Sequence, residues 1–323
     1  MCIFGGFSVS YTHLMSKIPY AKVPKTFKGQ VELLKKRNLT IDDEVRAEKI
    51  LTYISYNRLS NYWYPLLAEP KADEIFKKGA KFNTAFRLYQ FDSDFRTITF
   101  QAIEQIEIAV RTQIIYHFSH KYNSGFWFEN SDAFKNYPGY LKLLNKIASA
   151  SEETKQDFII RYKERYVQYL PPSWKSFELL TFNSLRGILK NASDFKDLIP
   201  IAKSFGLHHS VLISWIESFV YVRNICAHHG RLWNRKLTIS PTWIKSPRGP
   251  WIDRWENEEK NEGTNDKQLK MYAVICAIIY CLKFINPYNK YTDSFLDLLS
   301  RYKDVDLFHM GFPPDWKKQP LWQ

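Results

Sequence analysis

Apolar residues recur three and four positions apart along most of the chain, the spacing of helices that each turn one apolar stripe toward a core. The pattern predicts helices over 28–36 and 42–59, with Thr40, Asp42 and Asp43 as the start signal of the second. A short irregular or strand-like stretch follows over 71–82, marked by Pro70 and Gly79. One long helix is then expected over 94–121, with Ile98, Ala102, Ile106, Ala109, Gln113 and Tyr116 near one stripe. Further helices are expected over 140–149, 151–169, 173–190, 195–205 and 210–227, and a last pair over 267–285 and 292–301. Between them, 237–266 is predicted to be irregular: it holds Pro241, Pro247, Pro250 and an acidic run over 256–262. No sustained two-residue alternation demands a large sheet, and no solenoid period is present. The chain therefore reads as all-α. Its expected organisation is a poorly structured leader over 1–25, a helical core over 26–236, an irregular surface excursion over 237–266, and C-terminal helices over 267–323 that pack on the core. The first fourteen residues lack periodicity, and Met15 looks like a more natural beginning.

Composition narrows the function. A length of 323 residues is enough to bury a substantial core without staples. The four cysteines, Cys2, Cys226, Cys276 and Cys281, lie mostly in apolar helical surroundings, which suits a reducing cytoplasm. The most apolar run, 271–285, is shorter than the ~20 residues of a membrane span and contains Lys283, so a buried helix is expected and no membrane association. The apolar first ten residues lack a charged leader and a cleavage site, which argues against secretion. Glycine-rich phosphate loops, His-Glu-x-x-His and Cys-x-x-Cys patterns are absent, so no cofactor or metal is expected. A net charge of +13 and a pI near 9.3 favour a polyanionic partner, with nucleic acid leading. Many cations sit beside rings: Arg58 with Tyr56, Tyr62, Trp63 and Tyr64; Arg161, Lys163 and Arg165 with Tyr162 and Tyr166; Arg231 and Arg235 with Trp233. Such interleaving tracks a phosphate backbone while offering stacking faces, although most rings must fill the core.

The richest chemistry lies in Tyr221-Val222-Arg223-Asn224-Ile225-Cys226-Ala227-His228-His229-Gly230, at the end of an expected amphipathic helix. Arg223 offers a permanent charge and a planar fork for phosphate oxygens, and His228 a group that exchanges a proton near neutral pH. Asn224 shares a helix face with His228, whereas Arg223 lies roughly 140° from His228, so convergence on one phosphate needs a helix end or a second chain. Gly230 is the expected helix stop. The bare spacing is weak: with 15 arginines and 8 histidines it arises about once by chance, and it recurs at Arg111 and His117, a candidate second half-site. Glu107 stands four residues before Arg111 in the favourable order for an ion pair, which gives Arg111 a purely structural alternative. Asn224, the apolar run before it, and Arg231, Arg235 and Lys236 after it raise the Arg223 pair above that background. The rival reading is a capped helix end.

Four ordered blocks resemble the Abi-like family of bacterial abortive-infection proteins, of the AbiD/AbiF type, from about Thr26 to Arg235. Gly29 to Arg37 with Ile54 to Pro65 looks like the opening signature. Leu88 to Arg96, running on to Ile106 through Thr112, looks like the central helix. Glu178 to Leu185 is similar to a third block, with Asn183 standing where a glycine is expected, and Val222 to His229 with Arg231 to Arg235 is the fourth. Such proteins are similar to the HEPN superfamily, helical domains whose Arg-Asn-x-x-x-His motif marks metal-independent ribonucleases that usually act as dimers. The resemblance implies that Arg223, Asn224 and His228 are catalytic and that the protein is a homodimer in anti-phage defence; Arg58, Arg231, Arg235 and Lys236 are expected to contact RNA by their charge. Two other classes stay open: a non-catalytic protein that holds a cognate small non-coding RNA, and a structural or protein-interaction module.

Overall fold

The computed structural model describes residues 23–253 and 270–323. Within them lie twelve α-helices, several short 3-10 turns and three isolated β-bridges, with no strand. The chain is all-α. It divides into two compact units, Met1–Phe86 and Arg87–Gln323. Most of the expected leader, the acidic run over 256–262 and the expected helix start at 267 fall outside the described residues.

The first unit holds α1 (Phe27–Lys36), α2 (Glu44–Tyr53) and α3 (Tyr56–Trp63). The Thr26 hydroxyl accepts the Gly29 N–H at 3.1 Å to start α1, and the Asp43 carboxylate accepts the Arg46 N–H at 2.9 Å to start α2. Helices α1 and α2 pack against each other, with Val31 and Leu34 on the first and Ala47 and Leu51 on the second buried. The single helix expected over 42–59 is two, because the Ser55 hydroxyl accepts the Arg58 N–H at 3.3 Å and starts a new helix there. The stretch expected to be strand-like forms a 3-10 turn at Lys71–Asp73 and two bridges, Leu67 with Phe76 and Thr40 with Lys81.

The second unit is threaded by α4 (Phe82–Lys121), which begins twelve residues before its expected start. Its buried row is Ala102, Ile103, Ile106, Val110, Ile114 and Phe118; Tyr116, expected on the core stripe, is 56% exposed. The error is one of phase: the strict four-residue row from Ile106 to Phe118 faces the core, and Tyr116 lies off it. After α4 come α5 (Tyr137–Glu153), α6 (Asp157–Arg165), α7 (Ser173–Ser176), α8 (Phe182–Asn191), α9 (Leu198–Ser204), α10 (His209–Ala227), α11 (Met271–Ile285) and α12 (Tyr291–Arg301). The helix expected over 151–169 is only α6, since Thr154 accepts the Gln156 N–H through its hydroxyl at 3.2 Å and turns the chain. That expected over 173–190 is interrupted where Thr181 caps α8.

Every residue from Met271 to Leu282 is buried, so α11 is apolar on all sides and forms the centre of the unit. Among the described residues no helix is long and apolar enough to cross a membrane. Residues 237–253 form no regular element, yet Leu237, Ile244, Trp251 and Ile252 are buried, and Trp251 packs on Trp215 and Tyr280 with ring centroids 5.5 and 5.3 Å away.

Candidate functional site

Helix α10 packs against α8, α9 and α11 through a buried face that includes Trp215, Phe219, Val222 and Cys226. Burial of that face fixes where the motif points: Arg223 is half-buried, while Asn224 and His228 are exposed. His228 is the last near-helical residue, at φ −91° and ψ 13°, and donates its N–H to the Asn224 carbonyl at 3.0 Å. His229 then takes the left-handed conformation at φ 54°. Its N–H reaches the Cys226 carbonyl at 3.0 Å, and the Gly230 N–H reaches the Ile225 carbonyl at 2.8 Å, a paired stop that satisfies two terminal carbonyls. Gly230 thus takes part in the stop expected of it, while the left-handed position falls on His229. Gly230 also allows a close approach, since a Cβ there would lie 3.2 Å from Ile225 Cγ2.

The loop beyond the motif is pinned to α4. Asp92 and Arg96, one turn apart, form a buried ion pair. The Asp92 carboxylate also accepts the N–H groups of Leu232, at 3.1 Å, and Trp233, while Arg96 reaches the Gly230 carbonyl at 3.5 Å. Leu232 and Trp233 are buried in turn. Beside this clamp, burial pushes the Cys226 thiol up to about 12, with the Asp92 carboxylate adding to the effect and Arg96 opposing it. The motif's cysteine is thus a neutral packing residue and no nucleophile.

Arg223 lines a cavity of about 320 Å³ with Phe100, Glu104, Glu107, Ile108, Arg111 and Glu178. Arg111 is spoken for. It donates to Glu107 at 3.1 Å and to the Leu180 carbonyl at 3.1 Å, with Glu178 at 3.8 Å. Arg223 has a different environment: its guanidinium sits 5.4 Å from the Phe100 ring centre, and no hydrogen bond or ion pair holds it among the described residues. Burial raises the Glu107 carboxyl above its ordinary range, although Arg111 and Arg223 both pull it down. Two guanidiniums, of Arg111 and Arg223, face three carboxylates here, of Glu104, Glu107 and Glu178. Neither Asn224 nor His228 lines it.

The structure does not bring Arg111 and His117 together. His117 lies six residues further along α4, outside the cavity, 3.2 Å from Gln113 Oε1 and edge-on to Tyr116. Burial first, and His120 second, lowers its affinity for a proton. Arg231 and Arg235 are half-buried in the pinned loop, Arg235 donating to the Arg231 carbonyl at 3.2 Å, and Lys236 is exposed. Tyr221 feels burial upward, but hydrogen bonds with Thr238 and Arg235 outweigh it and lower its phenol. Trp233, 2% exposed, is core and no stacking platform. Arg58 lies on α3 in the first unit, where Tyr62 and Trp63 are buried, Tyr56 accepts from Arg37 at 2.7 Å, and Tyr64 carries Lys71 at 4.5 Å from its ring.

The Asp92–Arg96 clamp and the carboxylates around Arg223 escaped sequence reasoning. Their signal was faint: opposite charges four apart, Asp92 just after Phe91 and Arg96 just after Phe95, and glutamates on what reads as a solvated face. Among the described residues no group of three or more His, Cys, Asp or Glu is placed to hold a metal ion. The family described as Abi-like protein matches residues 49–234, more than half of the chain and a span that includes the motif, the clamp and the cavity. No curated protein and no solved structure matches.

Proposed function

The chain belongs to the Abi-like family, and from that premise we propose that it is a phage-defence protein that binds RNA and cuts it at Arg223, Asn224 and His228 without a metal. The observation that carries the reading is the contrast between the two arginines of one cavity. Arg111 is bonded to Glu107 and the Leu180 carbonyl, whereas Arg223 rests on a ring and has no hydrogen bond or ion pair among the described residues, beside the exposed Asn224 amide and the exposed His228 imidazole at the helix end. An arginine held by a ring keeps its fork available for an oxyanion. The motif's spacing is similar to that of HEPN ribonucleases.

The proposed reaction is transesterification. The ribose 2′-hydroxyl attacks the adjacent phosphorus, the bond to the 5′-oxygen breaks, and the products are a 2′,3′-cyclic phosphate and a 5′-hydroxyl. One histidine takes the 2′-hydroxyl proton and another delivers a proton to the departing oxygen, since neither alkoxide forms readily at neutral pH. Arg223 meets the non-bridging oxygens as their charge grows, and Asn224 orients His228 or the phosphate.

A single chain offers one His228, and Arg223 lines a cavity that excludes it, so the complete centre is proposed to form between two copies. Mixing inactive Arg223→Ala chains with inactive His228→Ala chains tests this. In a shared cleft, the mixed dimer regains one arginine and one histidine, and partial cleavage should return; no recovery, or full activity from a strict monomer, argues against a composite centre. A second reading, carried by the exposed Asn224 and His228 beside Arg223, has the motif hold a small non-coding RNA without cutting it. Binding that survives His228→Ala, with no cleavage by the unaltered protein, would select that reading.

A further inference from the structure

Far along the sequence from the motif, α6 and α7 border a second cavity, of about 610 Å³, that shares no lining residue with the one around Arg223. Four cations line it, Lys155, Arg161, Arg165 and Lys175, against one carboxylate, Asp157. The helix spacing explains the cluster: Phe158, Arg161, Tyr162 and Arg165 recur at three and four residues and therefore share one face of α6. The opposing charge is weakly engaged, since Asp157 stands 3.6 Å from Arg161 with both side chains about four-fifths exposed. Lys163 is occupied by Glu152 at 2.9 Å and does not line the cavity. The site thus keeps a formal surplus of three positive charges, unlike the cavity around Arg223, where carboxylates prevail.

Rings flank these charges. Tyr166 packs at a tilt of 30° against Tyr162 with centroids 4.9 Å apart, carries the Arg165 guanidinium 5.6 Å from its ring centre, and is 48% exposed. Tyr162 is buried and supports Tyr166, which stays half-exposed. Just beyond, Trp174 is 53% exposed, its indole lying so close to Gly125 that a Cβ there would stand 2.4 Å from it. Cations spaced along a helix beside braced, half-exposed rings are what single-stranded RNA requires: phosphates are met by charge and unstacked bases by π-faces. A protein partner of ordinary composition would not need so many unneutralised cations.

We propose that this cavity is a second, non-catalytic binding site for single-stranded RNA, with Arg161 and Arg165 on the phosphates and Tyr166 as the stacking platform. The proposal rests on the RNA reading above and names where the strand is gripped outside the motif.

The test is fluorescence anisotropy with a labelled oligouridine of twelve nucleotides and the full chain carrying His228→Ala to prevent cutting. Adding Arg161→Ala with Arg165→Ala should weaken binding at least tenfold and reduce the slope of log affinity against log salt by about 1.4, the contribution of two single-strand phosphate contacts. Tyr166→Ala should cost about tenfold and Tyr166→Trp should restore affinity. Lys317→Ala with Lys318→Ala, an equal loss of exposed charge elsewhere, should leave affinity within twofold. An arginine double variant that binds as tightly as its parent, a control that weakens binding equally, or no oligouridine binding at all would overturn the proposal and leave the face to another partner. The two readings fail separately. Cleavage that persists while the arginine variant binds unchanged removes only this site; arginine-dependent binding without any cleavage supports this site and removes the nuclease.

Discussion

Replacing Asp92 by asparagine removes the charge on which the loop after the motif is fastened. Asp92 is 0% and Arg96 6% exposed, so the substitution removes a buried carboxylate paired with a guanidinium in the core. Breaking one partner of a buried pair costs about 3–5 kcal/mol. The N–H groups of Leu232 and Trp233 lose their shared carboxylate, worth about 1–3 kcal/mol for each left unsatisfied. These costs overlap in one side chain and do not add. The asparagine carbonyl still accepts one N–H, which places Asp92→Asn near ~3 kcal/mol and Asp92→Leu near ~5 kcal/mol, a large part of the 5–15 kcal/mol typical of a whole domain. Urea unfolding followed by tryptophan fluorescence should show a lower midpoint for Asp92→Asn, and the double variant Asp92→Leu with Arg96→Met should recover at least half of the loss of Asp92→Leu. The reasoning is refuted if Asp92→Asn stays within ~1 kcal/mol of the unaltered protein, or if the double variant is as unstable as the two singles combined.

Other consequences follow from the same geometry. Because burial raises the Glu107 carboxyl, the stability contributed by its neutral form is complete below the ordinary glutamate range and is lost as pH climbs through the raised value; Glu107→Gln should flatten that fall in a series of melts across pH. With its thiol pushed up to about 12, Cys226 should resist iodoacetamide at pH 8 in the folded chain and react in urea, as peptide mass mapping would show. At the left-handed position, His229→Ile should destabilise by about 1–2 kcal/mol while His229→Gly is tolerated, measured by thermal melting. Gly206 combines φ +67° with the Phe284 ring 2.3 Å from where a Cβ would stand, so Gly206→Ala should lower the melting temperature more than Gly187→Ala, where nothing lies within 4 Å.

Helical periodicity made the fold class and most helices legible, because burial of one stripe is written at every third or fourth residue. It failed where local hydrogen bonds compete with the helix: Ser55 splits one expected helix, Thr154 shortens another and Thr181 interrupts a third. The division between the two units at Phe86 left no mark, since it falls inside a continuous helix with no proline, glycine or change of period. At the candidate site, the motif and its exposure could be read from the α10 stripe. The partners of Arg223 could not, because Phe100, Glu107 and Glu178 come from distant segments that only packing brings together. The same limit made Arg111 and His117 look like a pair: the spacing matched, but six residues along one helix turn their side chains to different surroundings.

The most direct test of the motif's proposed chemistry is cleavage of end-labelled RNA by the purified full-length chain in excess EDTA, with a matched substrate carrying 2′-deoxyribose at the cut position. The expected result is a product ending in a 2′,3′-cyclic phosphate, formed without metal, absent from the deoxy substrate and lost with His228→Ala or Arg223→Ala. Cleavage of the deoxy substrate, dependence on added magnesium, or undiminished cutting by His228→Ala would contradict it.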